Sequence, residues 1–257
     1  MKIEGKAAVV TGASRGVGRS AALQLAQRGC HVAVNYSSSK AEAEEVVEEV
    51  RALGVKCIPI AADVADDAAC KHMIESAARE FGHLDILINN AATTSFIPHS
   101  RLDGVTDDVW KRILSVNLQG PFQCIRAAKP HLEAAGEGEI VNVASIAGVA
   151  AMGSSIPYCA SKAALINMGV ALARVLGPKI RLNTVAPGFI EGNWLRQGLG
   201  DMYEPVKKAN ENIAVLNKVC TADDVADAIL AFITGSDMVT GQTLVVDGGR
   251  LIGPKIS

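Results

Sequence analysis

The sequence predicts an α/β fold, a doubly wound parallel sheet of about seven strands with helices on both faces. Three observations carry this: short β-rich apolar runs alternate with longer amphipathic segments, the runs are near-continuously apolar, and a glycine-rich turn follows the first of them. Strands buried on both faces read as unbroken apolar runs, and βαβ connections wind right-handedly. Ligands of such sheets bind beyond the carboxyl ends of the strands, so residues that carry chemistry should gather just after strand ends.

In order, Lys6–Thr11 reads as the first strand, and Gly18–Arg28 as a helix with Ala21, Ala22, Leu25 and Ala26 inward. His31–Asn35 is the second strand. Ser39 and Glu42 have capping-box spacing at the start of a helix running to Gly54. Lys56–Ala61 is the third strand, followed by a helix marked by Met73, Ala77 and Phe81. Asp85–Asn89 is the fourth strand, and one long helix begins at Thr106, with Val109, Ile113, Val116 and Phe122 at helical spacing. Glu139–Val143 is the fifth strand. Pro157 suits the first turn of the next helix, which carries Leu165, Met168 and Leu172. Ile180–Val185 is the sixth strand, residues 188–216 are irregular or weakly helical, Thr221 caps a further helix, and Thr243–Asp247 is the last strand. No linker, repeat or low-complexity segment interrupts the pattern, so residues 1–257 are expected to form one domain.

The chain has 257 residues, 49% of them hydrophobic and 20% charged, and a net charge of −2. Nothing in that balance suits nucleic acid or an anionic membrane. The N-terminus runs into a strand without a signal-peptide apolar region, and the most apolar stretch, Ile140–Gly153, is too short to span a bilayer. The six cysteines show no Cys-x-x-Cys and no metal-ligand spacing with histidine, the pattern of reduced thiols in a cytoplasmic protein. No metal site is expected.

The candidate chemistry follows the strand ends. Thr11-Gly12-Ala13-Ser14-Arg15-Gly16-Val17-Gly18 opens a helix, where backbone amides bind phosphate and glycines admit close approach. After the second strand stands Asn35-Tyr36-Ser37, with no acid before Glu42. Without a carboxylate to hold ribose hydroxyls, the site does not repel a 2′-phosphate, and Arg15 with the serines can bind one; NADP is expected over NAD. Asp63-Val64 can meet the adenine, and Asn90-Ala91-Ala92 offer small side chains where backbone passes close to the cofactor. Ser145 ends the fifth strand, where its hydroxyl can hold a carbonyl oxygen, and Pro187-Gly188 form a rigid turn after the sixth. Tyr158 and Lys162, four apart, share a helical face. A phenol with a reference pKa of about 10 is too weak an acid near neutrality, and a fixed ammonium would lower that value.

These pieces together resemble the short-chain dehydrogenase/reductase family along essentially the whole chain: Thr11-Gly12-x-x-x-Gly16-x-Gly18, Asp63-Val64, Asn89-Asn90-Ala91, Asn117, Ser145, Tyr158-x-x-x-Lys162, Asn183, Pro187-Gly188 and Asp247-Gly248-Gly249. The resemblance implies a Rossmann-type domain and the branch that includes 3-oxoacyl carrier-protein reductases and alcohol, sugar and steroid dehydrogenases. Tyr158 would then be the general acid, Lys162 would lower its pKa and bind the nicotinamide ribose, Ser145 would hold the substrate oxygen, and Asn117 would anchor a relaying water. Cofactor contacts would extend to Ile190. The partner would be a small carbonyl or alcohol, and helix pairing would make a homotetramer. Residues 189–216 occupy the family's substrate lid, with Trp194, Leu195, Leu199, Met202 and Tyr203 as apolar surface, and Leu251–Ser257 would extend towards a neighbouring subunit. A non-catalytic NADP-binding regulator is the alternative class; such proteins lose the Tyr or the Lys, and both are present here.

Three departures from the family pattern stand out. Ala92 replaces the usual Gly, and Gly192 stands where Thr often contacts the nicotinamide amide, with Asn193 beside it. Gly136-Glu137-Gly138-Glu139 replaces basic residues that would meet an acidic carrier, and is expected to repel one, although Lys129 and Lys179 lie nearby.

Overall fold

A computed structural model describes residues 1–253. Seven parallel strands form one sheet: β1 (Ala7–Val10), β2 (His31–Tyr36), β3 (Cys57–Ala61), β4 (Ile86–Asn89), β5 (Gly138–Val143), β6 (Ile180–Pro187) and β7 (Thr243–Val246). Their order is β3-β2-β1-β4-β5-β6-β7. Alternate side chains feed two cores. Ala8 and Val10 of β1 join one apolar cluster, and Ala7 and Val9 join the other. The order reverses between β1 and β4, which opens the crevice where ligands of such sheets bind.

One face is covered by α1 (Gly16–Ala26), α2 (Lys40–Ala52) and, further along the chain, Ala222–Thr234. That last helix starts with the expected cap: the Thr221 hydroxyl accepts from the Asp224 amide at 3.1 Å while the Asp224 carboxylate accepts from the Thr221 amide at 2.9 Å. The box expected at Ser39 does not form. The Ser39 hydroxyl instead pairs with that of Ser14 at 2.7 Å, tying α2 to the glycine turn.

The other face holds α3 (Asp67–Phe81), α4 (Asp107–Leu114) and α5 (Gly120–Ala135), then a single turn α6 (Ala147–Ala150) and the long α7 (Ile156–Leu176). The single helix expected from Thr106 is therefore interrupted, because a π-helical turn at Ser115–Gln119 separates α4 from α5. Pro121 has no N–H for the helical ladder, and Gly120 lies so close to Val64 that an added Cβ would sit 2.9 Å from the Val64 carbonyl oxygen. Phe122, grouped by spacing with inward residues, is 41% exposed.

Residues 188–216, expected to be mostly irregular, contain α8 (Asn193–Leu199) and α9 (Tyr203–Ile213). Little of this segment is buried, so an apolar stripe was not there to read. Polar contacts organise it: Arg196 stacks over the Tyr203 ring at 4.1 Å and pairs with Glu204 at 2.9 Å. The remaining helix, Ala222–Thr234, becomes α10.

By length and composition α7 is apolar enough to cross a bilayer, which the sequence reading missed by looking at Ile140–Gly153. Its buried face packs on the sheet, with Gly169 against Leu182 and Thr184 of β6. The proposed tail at Leu251–Ser257 falls largely outside the described residues; Leu251 and Ile252 belong to a single turn begun by Arg250.

Candidate active site

The crevice begins at the glycine turn. Gly12 and Gly16 have φ of +61° and +55°, a region that favours glycine. Gly18 must be small for a different reason: a Cβ there would lie 2.4 Å from the Gly12 carbonyl oxygen. At Gly16 nothing lies within 4 Å, so the turn is open on that side. No side chain caps the first turn of α1, and its amides face the opening free of an internal acceptor. Arg15 is exposed beside them and makes no ion pair among the described residues. An uncapped helix start, an open glycine and a free guanidinium fit a dinucleotide phosphate.

Two of the predicted contacts, Asn35 and Asn90, also brace this turn, and Thr11 joins them. Asn35 is buried: its Oδ1 accepts from the Gly12 amide at 3.1 Å, and its Nδ2 donates to the carbonyls of Ile60 and Ala62 at 3.2 and 3.0 Å. Asn90 donates from Nδ2 to the Thr11 and Gly12 carbonyls, both at 3.0 Å. Thr11, quoted in the motif without a role, accepts from the Asn90 and Ala91 amides at 2.9 and 3.0 Å and so joins the ends of β1 and β4. Ala91 packs against Gly12, and the Ala92 methyl is exposed, so that departure costs no packing. Tyr36 and Ser37 end β2 at the surface, Ser14 and Val17 are buried in the turn, and Ile190 bridges to Cys220 beyond Gly188.

Asp63 is already engaged. Its carboxylate accepts from the Ala65 amide at 3.0 Å and from Arg112 at 2.9 Å. Partial burial works to raise its pKa, but these bonds outweigh it and hold the carboxyl below its usual range. Arg112 was not anticipated, because only the fold brings α4 over the end of β3.

At the end of β5, the Ser145 side chain acts on the Tyr158 phenol closely enough to pull its pKa down, while its hydroxyl accepts from the Ala147 amide at 3.1 Å and donates to the Pro187 carbonyl at 3.5 Å. Ser155, fully buried, caps α7 by accepting from the Tyr158 amide at 3.4 Å, which fixes where the helix starts and where the phenol points. Lys162 is buried one turn on, with Nζ donating to the Val143 carbonyl at 2.8 Å and lying 5.8 Å from the centroid of the Tyr158 ring.

The electrostatics differ from the expectation that Lys162 lowers the Tyr158 pKa. Burial dominates and pushes the phenol up to about 12, with the Ser145 hydrogen bond pulling the other way. Burial also brings Lys162 down to about 7, because its ammonium faces one carbonyl and no carboxylate. A lysine that is half neutral near pH 7 supplies little field to its neighbour.

Asn117 sits in the π-helical turn, fully buried. Its Oδ1 accepts from the Thr93 amide at 2.8 Å, and its Nδ2 donates to the Thr93 carbonyl at 2.9 Å and to Ser161 Oγ at 3.0 Å. The side chain is thus spent on tying the loop that follows β4 to α7, one residue from Lys162. Asn117→Ala leaves the Thr93 amide and carbonyl unpaired. It is expected to destabilise the fold by about 1–3 kcal/mol in a urea titration.

Aromatic side chains wall the opening. Trp194 on α8 lies 6.4 Å from Tyr158 and 6.3 Å from Phe96, ring centroid to centroid. Phe96, unnoticed in the sequence, presses on Gly198, where a Cβ would meet the ring at 2.0 Å. Gly192 and Asn193 are exposed at the start of α8, and the Gly192 amide donates to the Tyr203 hydroxyl at 3.3 Å.

Glu139 proves not to be a surface charge. It is 3% exposed within β5 and pairs with Arg181 at 2.6 Å. Burial raises its pKa to about 7 against the pull of Arg181. It also lies at the opposite end of β5 from Ser145. The expected repulsion of an acidic carrier therefore loses half of its charge and its proximity to the site.

A parallel sheet with a phosphate-binding turn after β1 and a Ser–Tyr–Lys cluster after β5 defines a nicotinamide-dependent oxidoreductase. The chain belongs to the short-chain dehydrogenase/reductase family: residues 12–250 match a family model described as enoyl-(acyl carrier protein) reductase. It is 39% identical over 247 residues to the 3-oxoacyl-(acyl-carrier-protein) reductase FabG of Staphylococcus aureus, covering 95% of this chain and 97% of the relative. Among solved structures, a short chain dehydrogenase from Burkholderia cenocepacia in complex with NADP is 36% identical, covers 98% of this chain and 100% of its own, and superposes with a TM-score of 0.87. An NAD+-bound xylitol dehydrogenase is 28% identical, covering 97% and 100% of the two chains, with a TM-score of 0.89. The protein is thus an oxidoreductase of this family, using a nicotinamide dinucleotide and a small-molecule substrate.

Proposed function

We propose that this chain is an NADP(H)-dependent reductase and dehydrogenase acting on a carbonyl/secondary-alcohol pair, with Tyr158 as general acid/base. The observation that carries the reading is that Tyr158 and Lys162 lie buried on one face of α7, with Lys162 Nζ 5.8 Å from the Tyr158 ring centroid and held by the Val143 carbonyl at the end of β5, beside Ser145. NADPH, bound at the glycine turn, supplies the hydride. In reduction the Tyr158 hydroxyl, protonated at neutral pH, gives its proton to the carbonyl oxygen as negative charge develops there, and Ser145 donates a second hydrogen bond to that oxygen. Lys162 returns a proton to the phenol and offers its remaining N–H groups to a ribose. Asn117 keeps α7 and the loop that follows β4 in place around them. The decisive measurement is NADPH oxidation against ketones, 3-oxoacyl thioesters and sugars; no turnover with any class, despite NADPH binding, would instead make the protein a non-catalytic binder.

The preference for NADP is supported by the free Arg15 and the absence of an acid after β2. Arg15→Glu is expected to weaken NADP binding about 10–150-fold, the scale of a lost charge-assisted hydrogen bond, with little change for NAD. Unchanged NADP affinity in a titration would reverse the assignment.

A 3-oxoacyl thioester is the second substrate reading. The name of the Staphylococcus aureus relative favours it, and the burial of Glu139 weakens the argument against it. Residues 1–257 act as one domain in this reading, residues 189–216 form a lid, and the protein works in the cytoplasm without a membrane or nucleic-acid partner. The exposed Phe122 of α5 and Val170 and Val175 of α7 suit burial in a homotetramer.

A further inference from the structure

Arg250 is a half-buried cation with no carboxylate partner among the described residues. It follows β7 after the turn Asp247-Gly248-Gly249, and among the described residues its solvent-shielded Nε has no hydrogen-bond partner and its terminal nitrogens meet only the Met152 sulfur, at 3.9 and 4.0 Å. Arg112, Arg181 and Arg196, by contrast, each sit on a carboxylate. A thioether is a weak acceptor and offers no charge, so a partly desolvated guanidinium held there lacks the partner that ordinarily offsets its burial.

Its place in the fold ties this cation to the cleft. Met152 precedes Gly153, and a Cβ on Gly153 would stand 3.2 Å from the Tyr158 ring. On the other side, the Leu216 amide donates to the Gly248 carbonyl at 2.9 Å, and Gly249 packs against Val215, both at the end of the segment that carries Trp194. Asp247 closes against Gly188 at the end of β6. The turn that carries Arg250 therefore joins three walls of the opening around Tyr158: the loop after Ser145, the end of β6 and the end of the 189–216 segment.

We propose that Arg250 selects the substrate by binding an oxyanion, a carboxylate or phosphate, carried by the same molecule whose carbonyl lies at Tyr158. The inference rests on the oxidoreductase reading and narrows it from carbonyl compounds in general to anionic ones. A planar guanidinium suits both groups, since each presents two oxygens to its fork.

The test compares wild type with Arg250→Gln and Arg250→Lys in NADPH oxidation. The substrates are 4-oxopentanoate and 5-oxohexanoate, the methyl ester of each, and 3-oxobutanoyl-coenzyme A. The expected result is that wild type prefers an anionic substrate. The ratio of kcat/KM for that substrate over a neutral ester should fall about 10–150-fold in Arg250→Gln, mostly through KM, and be partly restored by Lys. Selectivity confined to the oxo acids identifies a carboxylate, and selectivity confined to the coenzyme A thioester identifies a phosphate. A ratio unchanged by Arg250→Gln, including equal losses on acid and ester, overturns the proposal. If wild type reduces none of them, the proposed substrate class fails separately. Binding of the same compounds is then followed by Trp194 fluorescence in a Trp110→Phe background. Weaker binding in Arg250→Gln sustains the anion site, and equal binding ends it.

Discussion

Tyr158→Phe is expected to lower kcat by about 10²–10⁴-fold, the range associated with one positioned general acid, and to leave NADPH binding within about twofold. The ring stays, so its packing 6.4 Å from Trp194 and the Ser155 cap of α7 are retained. Only the hydroxyl, with its proton and its interaction with Ser145, is lost. Stopped-flow reduction and NADPH fluorescence separate the two effects, and near wild-type turnover would end the assignment of Tyr158 as the acid. The pH profile carries the same information. With the phenol pushed up to about 12 by burial, Tyr158 stays protonated through the neutral range, so reduction is not expected to fall for lack of that proton below about pH 10.

Lys162→Met is expected to stabilise the cofactor-free protein while removing most turnover. The ammonium loses hydration on folding, and burial brings its pKa from 10.5 to about 7. At pH 7 and below, the unfolded chain therefore gains several kcal/mol from a charge that the folded state disfavours. Unfolded Lys162 binds more protons than folded Lys162 between about pH 7 and pH 10.5, so wild-type stability rises with pH across that window. The advantage of Met should be largest near and below pH 7 and fade towards pH 10.5. Allowing for the lost bond to the Val143 carbonyl, about 2 kcal/mol at pH 7 is the expected gain, read in chemical denaturation or as about 2–4 °C in Tm per kcal/mol. A variant less stable than wild type at every pH would show that the ammonium is better accommodated than its surroundings suggest. The pair of outcomes describes a residue retained for chemistry at the expense of stability.

The contrast between these two residues and Asn117 shows how far spacing carries. Tyr158 and Lys162 are four apart on one helix, so their shared face follows from helical geometry alone. Asn117 is just as legible as a motif position, yet its job is decided by Thr93 and Ser161, which the chain brings from 24 residues before it and 44 after. The same applies to Asn35 and Asn90, expected as cofactor contacts, whose side chains brace the turn from across the sheet edge.

The sequence by itself determined the sheet, the alternation of its strands and helices, the glycine-rich turn after β1, the reach of Ser145, Tyr158 and Lys162 to one sheet edge, and the family. These follow from local periodicity and from glycine positions, which need no knowledge of distant neighbours. Tertiary structure alone decided the rest. It broke the Thr106 helix at a π turn where Gly120 meets Val64, hid Glu139 against Arg181, and moved Ser39 from its helix to Ser14. It also reversed the expected electrostatics of Tyr158 and Lys162. Desolvation depends on everything packed around a group, and no spacing within α7 reports how completely the sheet, the loop after Ser145 and the turn at Asn117 exclude water from it.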